Sequence, residues 1–205
     1  MGNGLIGPSV RANSASPSSV SLFPFPLSLY PSHFPFPVSH SPIVQPITIR
    51  AARASDLDAI VTIERAAFSD PWSRASFASL IGETMVHFAV AELDDLVLGY
   101  VVAWFIAGDC EIGNLAVLES QRGRKTGGRL LDSALREAHV RGTQSVYLEV
   151  RESNVVAQHM YGARGFVRVG RRRRYYRRPE EDAYILRLVM SEAHTGQRDG
   201  EPPAR

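Results

Sequence analysis

Apolar residues recur at two different spacings along the central part of the chain. Short runs that alternate or concentrate apolar residues predict strands, whereas apolar residues three or four positions apart predict helices. The predicted strands are 47–52, 86–92, 96–106, 111–118, 145–150, 166–170 and 183–189. The predicted helices are 55–69, 74–81, 129–141 and 154–165. This order of strands and helices predicts an α/β protein built on a mixed sheet.

One stretch, from Glu111 to Leu131, combines a strand, a basic glycine-containing loop and the start of a helix. Ile112, Leu115 and Val117 are its apolar strand positions, and the loop covers 121–128. The first turn of a helix carries unpaired backbone N–H groups and the positive end of the dipole, and glycines let a phosphate approach closely. The stretch therefore predicts a phosphate-binding site, although a surface turn with solvated arginines explains it equally well.

The two ends of the chain differ from this central part. Residues 1–46 are rich in Ser and Pro, contain no acidic residue and have Arg11 as their only arginine or lysine. Because frequent Pro blocks both helices and central strands, we expect a disordered extension. It can arise from a start codon assigned too far upstream, a flexible tail or an organellar transit peptide, for which the segment is poor in Arg. We expect a folded domain at 47–190 and a polar, flexible tail at 191–205.

The amino-acid composition indicates which classes of protein the chain can belong to. The 205 residues are 44% hydrophobic and carry a formal net charge of +2, which suits one ordinary domain and gives no overall attraction to nucleic acid. The single cysteine, Cys110, excludes an internal disulfide and fits a reducing compartment, so we expect a cytoplasmic protein. The six histidines show no metal-binding spacing, and no apolar run is long enough to span a bilayer. We therefore expect neither a metal site nor a membrane segment.

Glu149 lies on the predicted strand 145–150. Alternation places Tyr147, Glu149 and Arg151 on one face of that strand and the apolar residues on the other. A carboxylate near the C-terminal end of a strand is a candidate general base, and partial burial would raise its pKa towards neutrality. An ion pair with Arg151 on a solvated face is the simpler explanation, and both interpretations stay open here.

Tyr161 follows Asn154 by seven residues in a predicted helix. Seven residues are close to two helical turns, so the two side chains share a face. A phenol can donate a proton to a departing thiolate, but tyrosines more often serve as packing residues. Asn154 is explained most simply as the cap of this helix.

Four consecutive arginines, 171–174, precede Tyr175, Tyr176 and two further arginines. Basic residues interleaved with aromatic side chains are typical of an RNA- or ribosome-facing patch. The nearby acidic residues 180–182 favour instead a solvated hairpin or loop in which the arginines form ion pairs. We therefore expect no direct binding of nucleic acid.

Several stretches together resemble the ribosomal-protein-alanine N-acetyltransferases, which have the GNAT fold. These stretches are NLAV at 114–117, RGRKTG at 122–127, LEVRESN at 148–154, MYGARGF at 160–166 and RRYYRRPEEDAYIL at 173–186. FSDPWS at 68–73 is similar as well, so the resemblance covers nearly the whole of 47–190. It implies a mixed, mostly antiparallel sheet with a splayed central strand pair and flanking helices.

The resemblance also implies a role for each matching residue, with acetyl-CoA as the co-substrate. Glu149 would act as the base on the incoming amine, through a water molecule, and Tyr161 would protonate the departing CoA thiolate. The splayed strand would hold the pantetheine arm and the loop would bind the pyrophosphate. The cofactor-binding residues would be Leu115, Ala116, Val117, Arg122, Gly123, Arg124, Lys125, Thr126, Gly127, Gly128 and Asn154.

The loop departs from the family pattern at Lys125. The family has Gln/Arg-x-x-Gly-x-Gly/Ala, and Lys125 stands where the first glycine is expected. A Cβ at that position would crowd the phosphate or forbid a positive φ. The ammonium group would offset this by pairing with a phosphate. We expect weakened CoA binding without loss of activity.

The function that the resemblance implies is acetylation of a protein N-terminus, namely the N-terminal alanine of the eighteenth small-subunit ribosomal protein. The transfer would be direct, since Cys110, the only thiol, lies outside the motifs. Two alternatives stay open: a GNAT enzyme that acetylates another protein N-terminus, a lysine or a small molecule, and a CoA-binding or ribosome-associated module without catalysis. The sequence makes no prediction of the oligomeric state.

Overall fold

The computed structural model describes residues 46–190. The strands are β1 (Thr48–Ala51), β2 (Val86–Leu93), β3 (Leu96–Ile106), β4 (Asp109–Val117), β5 (Ser145–Arg151), β6 (Val167–Arg177) and β7 (Glu180–Val189). The helices are α1 (Leu57–Ala67), α2 (Arg74–Ala78), α3 (Thr126–Val140) and α4 (Val155–Gly162). Within 46–190, none of the helices is long and apolar enough to cross a bilayer. The predicted extension and tail lie outside the described residues, apart from Pro46.

The seven strands form one sheet in the order β1-β2-β3-β4-β5-β7-β6. β4 and β5 run parallel, and every other neighbouring pair runs antiparallel. The pairing of β4 with β5 ends at Ile112 and Leu148, although β4 continues to Val117 and β5 to Arg151. The two central strands therefore diverge, which confirms the predicted mixed, mostly antiparallel sheet with a splayed pair.

A one-residue bulge in β4 lies where the two strands diverge. Strand β3 skips Gly113 in its pairing with β4, so the side-chain alternation of β4 reverses there. Ile112 and Leu115 consequently pack in the same core although they are three positions apart, and Ala116 packs in the opposite core. A Cβ at position 113 would lie 2.1 Å from Cζ3 of Trp104, so only glycine fits beside that ring.

The sheet separates two apolar cores. Helices α3 and α4 cover one face, where Leu130, Leu131 and Tyr161 are buried. Helices α1 and α2 cover the other face, where Ile60 and Phe77 are buried. Burial of each such side chain contributes about 1.5–3 kcal/mol, so these two cores hold the helices against the sheet and fix the positions of the site residues.

The main differences from the predicted elements lie near the C-terminal end of the domain. Strands β6 and β7 are longer than predicted, and the arginine run 171–174 lies within β6. Because β6 is an edge strand, its arginines project into solvent without disturbing the sheet. Arg171 pairs with Asp182 at 2.7 Å and Arg174 with Glu180 at 2.9 Å, which confirms the predicted hairpin with ion pairs.

Three helix boundaries also differ from the predictions by three residues each. Helix α2 ends at Ala78 and α4 at Gly162, both shorter than predicted, whereas α3 starts at Thr126, earlier than predicted. The first residues of α3 include two glycines, 127 and 128, which carry no apolar pattern and therefore hid its start. Ser73 accepts a hydrogen bond from Ser76 N at 3.0 Å and caps α2.

Candidate active site

A cavity of about 510 Å³ lies where β4 and β5 diverge. Its walls come from the ends of these strands that do not pair with each other, the segment between α1 and α2, helix α4 and the β6–β7 hairpin. Four of the predicted site residues line it, namely Leu115, Glu149, Asn154 and Tyr161. The structure therefore places the predicted base and the predicted acid in one cavity.

Glu149 lies on the part of β5 that is not paired with β4, and 14% of its side chain is exposed. Its Oε1 lies 3.2 Å from Nη2 of Arg172 on the hairpin. The alternative of an ion pair with Arg151 is wrong, because Arg151 pairs with Glu181 at 3.1 Å. Burial raises the pKa of Glu149, the charge of Arg172 opposes this, and Glu111 adds to it. Glu149 is thus a largely buried carboxylate whose pKa is raised in the direction that suits a base near neutral pH.

Replacing Arg172 with Gln is expected to move the acid limb of the pH–rate profile to higher pH by about half a pH unit. Arg172 lowers the pKa of Glu149, so its loss raises that pKa further. A general base must be deprotonated to act. As the pH is lowered, the variant therefore loses activity at a higher pH than the wild type does. The measurement is kcat/KM as a function of pH.

The neighbouring variant Arg173→Gln is the matched control for Arg172→Gln. It removes one positive charge from the same strand, but Arg173 is not among the groups that shift the pKa of Glu149. The pKa of the acceptor amine contributes equally to both profiles, so the difference between the variants reports on Glu149. Coincident acid limbs in the two variants would contradict the prediction.

Tyr161 and Asn154 are brought to the cavity by α4. Tyr161 is the one buried residue of this helix, and its ring packs against Phe166 with centroids 5.8 Å apart. Burial, with a smaller contribution from Tyr176, raises the pKa of Tyr161 to about 12, so the phenol keeps its proton over the whole neutral range. Asn154 Oδ1 accepts a hydrogen bond from Ala157 N at 3.1 Å, which confirms the predicted helix cap.

The loop before α3 has the features of an anion site. Helix α3 has no side-chain N-cap, so no cap competes for its first-turn N–H groups. Thr126 Oγ1 and Gln121 Oε1 are buried and have no hydrogen-bond partner within residues 46–190. A Cβ at Gly127 would lie 3.5–3.6 Å from Val117 and Leu115, so the start of α3 lies beside the splayed end of β4. These residues fit a ligand that has both a phosphate and an extended arm, as CoA has.

The other predicted cofactor residues differ in their surroundings. Arg122, Gly123 and Arg124 are exposed on the loop, and Gly128 is buried in the first turn of α3. None of these four lines the cavity, which is consistent with a phosphate bound outside it. The Ala116 side chain is buried in the core under α1 and α2, so only its main chain can contact a ligand between the strands.

Lys125 has a left-handed backbone, with φ +63° and ψ 9°. The expectation that its side chain forbids a positive φ is therefore wrong, since the loop holds Lys125 in that conformation. The conformation costs a residue with a Cβ on the order of 1 kcal/mol and costs glycine nothing. The loop thus keeps the backbone shape that favours glycine although a lysine occupies the position.

Replacing Lys125 with Gly is expected to tighten CoA binding at least about threefold, or ~0.7 kcal/mol. The change removes the Cβ that would crowd the phosphate, while relief of the backbone strain and the freer unfolded chain offset each other and keep the thermal stability nearly constant. Calorimetric titration with CoA measures the affinity. Arg124→Gly is the control, because Arg124 is also cationic but its backbone is not left-handed. A smaller gain at Lys125 would mean that its ammonium group, by pairing with the phosphate, already offsets the crowding by its Cβ.

A buried carboxylate that the sequence analysis did not identify also lines the cavity. Glu64, on α1, is fully buried and accepts hydrogen bonds from Trp72 N at 2.9 Å, from Asn114 Nδ2 at 3.0 Å and from the hydroxyl of Tyr100. Burial raises the pKa of Glu64, and these hydrogen bonds oppose the increase. Glu64 follows Ile60 by four residues, so its place on the apolar face of α1 was the signal available in the sequence.

Arg151 links two walls of the cavity. Its guanidinium donates to Ser69 Oγ at 3.1 Å, in the segment between α1 and α2, and to the carbonyl oxygen of Arg178 at 3.3 Å, in the hairpin. It also stacks on the ring of Tyr176, 3.9 Å from the centroid. One residue of β5 thus holds the α1–α2 segment and the hairpin together.

Covalent catalysis by a thiol has little support in this part of the chain. Cys110 is buried, and burial raises its pKa to about 12, which disfavours the reactive thiolate. Among residues 46–190, no group of three or more His, Cys, Asp or Glu side chains is arranged to hold a metal ion.

A sequence model of the acetyltransferase (GNAT) family matches residues 57–166. The chain belongs to this family. The matched range contains the splayed ends of β4 and β5, the loop before α3, Glu149 and Tyr161. The expected GNAT fold and the expected acetyl-CoA-dependent N-acetyltransferase are thereby confirmed.

Individual proteins of known sequence or structure are also similar to this chain. The [ribosomal protein bS18]-alanine N-acetyltransferase of Escherichia coli K12 is 32% identical over 146 residues, which are 70% of this chain and 98% of the relative. The crystal structure of the ribosomal-protein-S18-alanine N-acetyltransferase from Escherichia coli is similar at a TM-score of 0.66 and 29% identity, covering 74% of this chain and 97% of that one. Ard1 from Thermoplasma volcanium is similar at a TM-score of 0.66 and 26% identity, over 71% of this chain and 99% of that one.

Proposed function

We propose that this GNAT enzyme acetylates the N-terminal amine of a ribosomal protein, with the N-terminal alanine of bS18 as the first candidate substrate. The observation that carries the proposal is the cavity at the splayed strands, which Glu149 and Tyr161 line together. The Escherichia coli relative that is 32% identical is named for this substrate and supports the choice of acceptor. The enzyme would meet this substrate in the cytoplasm.

The acceptor amine is activated by Glu149 in this proposal. A protein N-terminal amine has a pKa of about 8, so much of it is protonated at neutral pH and a base of modest strength suffices. The Glu149 carboxylate, largely buried and with a raised pKa, accepts that proton directly or through a water molecule. The nearby charge of Arg172 keeps Glu149 ionised enough to act.

The acetyl donor is held by the α3 loop and the splayed end of β4. Acetyl-CoA supplies an acetyl group already activated as a thioester. The uncapped N–H groups of α3 and the Thr126 hydroxyl bind phosphate, and the free edge of β4 beside Leu115 holds the pantetheine arm. Tyr161 O–H donates to the sulfur as it departs. Binding both substrates in this one cavity supplies much of the rate by positioning.

The test is incubation of the protein with acetyl-CoA and peptides, followed by mass spectrometry. One peptide begins with the N-terminal alanine sequence of bS18, a second has the same sequence with a blocked N-terminus, and a third contains an internal lysine behind a blocked N-terminus. Acetylation of the first peptide alone supports the proposal. Acetylation of the lysine peptide instead assigns the enzyme another acceptor, and CoA binding without transfer to any peptide assigns a non-catalytic module.

A further inference from the structure

The buried carboxylate of Glu64 has surroundings unlike those of the other carboxylate in the cavity. Its hydrogen-bond donors are all neutral: the backbone amide of Trp72, the phenol of Tyr100 and the carboxamide of Asn114. A fully buried carboxylate without a cationic partner is costly, and an apolar residue would pack at this position more favourably. The contribution of Glu64 therefore lies in the groups that its hydrogen bonds hold in place.

Two of the three donors belong to the walls of the cavity. Trp72 lies in the α1–α2 segment, which also brings Phe68 and Ser69 to the cavity. Asn114 lies on β4, beyond the point where pairing with β5 ends. Through Glu64 the α1–α2 segment is therefore tied to the splayed strand.

Aromatic packing strengthens the anchor at Trp72. Its ring lies 5.4 Å from the ring of Phe77 and 5.5 Å from that of Trp104, measured between centroids. The packed ring and the amide bonded to Glu64 together fix the C-terminal end of the segment, while Arg151 holds Ser69. The segment has no helix or strand of its own between Phe68 and Ser73, so these contacts determine its position.

We infer that Glu64 is a positioning residue for the acceptor, which fixes the α1–α2 segment at a set distance from the splayed strand. This inference rests on the proposed function, because the segment forms one wall of the cavity in which the acceptor would bind. Glu64 does not contact the reacting atoms in this role. It places the wall against which the acceptor's first residues bind.

Glu64→Gln tests the role. The amide keeps the size of the side chain but replaces a charged acceptor with a neutral one, so the hydrogen bond that Trp72 N donates to Oε1 weakens. We expect KM for the alanine peptide to rise about tenfold, and the Kd for CoA to stay within about twofold. We also expect faster hydrogen–deuterium exchange in residues 68–73, measured by mass spectrometry.

Tyr100→Phe is the matched control. It removes a donor to the same carboxylate from β3, outside the cavity lining, and leaves the bond to Trp72 in place. Both variants lower the melting temperature, but only Glu64→Gln should raise the peptide KM and the exchange of the segment. Equal stability losses with unchanged KM and unchanged exchange in both variants would reduce Glu64 to a structural residue and overturn the inference.

The exchange measurement separates this inference from the proposed function. If the wild-type protein acetylates no peptide, the proposed function fails, and faster exchange of 68–73 in Glu64→Gln but not in Tyr100→Phe still supports the anchoring role. If Glu64→Gln does not fold, the test uses Glu64→Asp instead. Aspartate keeps the negative charge, but its side chain is one methylene group shorter, so the carboxylate lies farther from Trp72 N. Unchanged exchange in that folded variant would equally overturn the inference.

Discussion

Glu149→Gln is expected to lower turnover at neutral pH by about a hundredfold or more, the usual contribution of a positioned general base. Glutamine keeps the shape of the side chain but cannot accept a proton from the amine. The Kd for CoA should stay nearly constant, because the α3 loop that would bind the phosphate lies outside the cavity lining that contains Glu149. Steady-state kinetics and calorimetric titration measure the two quantities on the same preparations.

The pH dependence of the Glu149 variant gives the decisive comparison. In the wild type, turnover falls as the pH drops through the raised pKa of Glu149, and this limb should be absent in Glu149→Gln. Glu111→Gln is the control, since it removes an exposed carboxylate from the adjacent strand. Its loss lowers the pKa of Glu149 slightly and moves the acid limb to lower pH. An unchanged pH–rate profile in Glu149→Gln would remove Glu149 from the role of base.

The two carboxylates that line the cavity, Glu64 and Glu149, have different environments, and these favour different roles. Glu64 is fully buried and its oxygens already accept hydrogen bonds from three donors, so it is poorly exposed to a substrate amine. Glu149 is partly exposed and has a single charged partner, Arg172, at 3.2 Å. Surroundings of this kind separate a group that holds structure from a group that exchanges protons. These surroundings support the proposal that Glu149, and not Glu64, is the base.

The sequence alone predicted the features of the fold that depend on local patterns. Alternating and helical spacings identified every strand and helix of the described domain, and Ser73 and Asn154 were identified as caps from their residue types and positions. The splayed pair followed from the resemblance rather than from periodicity. The spacing of Ile112, Leu115 and Val117 already deviated from strict alternation, and the bulge at Gly113 is its physical cause.

The parts of the site that were missed depend on contacts between residues distant in the chain. Arg172 reaches Glu149 because β6 pairs with β7, which pairs with β5, and no local pattern reports that register. Glu64 and Asn114 are fifty positions apart and meet only when α1 packs on the sheet. Lys125 was recognised as a departure from the family pattern, but its left-handed backbone depends on the folded loop.

Tyr161→Phe is expected to slow turnover by about ten- to a hundredfold, the value of one hydrogen bond to a developing charge. The pKa of Tyr161 is raised to about 12, whereas a thiol has a pKa of about 8.5, so a complete transfer of the proton to sulfur is unfavourable in isolation. In the proposed mechanism the phenol would therefore act mainly by donating a hydrogen bond to the departing sulfur. The expected loss of turnover is accordingly smaller than that of Glu149→Gln.

Packing and chemistry at Tyr161 can be separated because phenylalanine keeps the ring. The contact with Phe166 persists in Tyr161→Phe, so the melting temperature should change little while turnover falls. Tyr147→Phe is the control, since it removes a hydroxyl from β5 outside the cavity, and its turnover should match the wild type. Measured at saturating acetyl-CoA and peptide, equal turnover in Tyr161→Phe and wild type would leave this tyrosine with packing as its only role. A slower Tyr161→Phe with unchanged stability assigns the hydroxyl to the step in which sulfur departs.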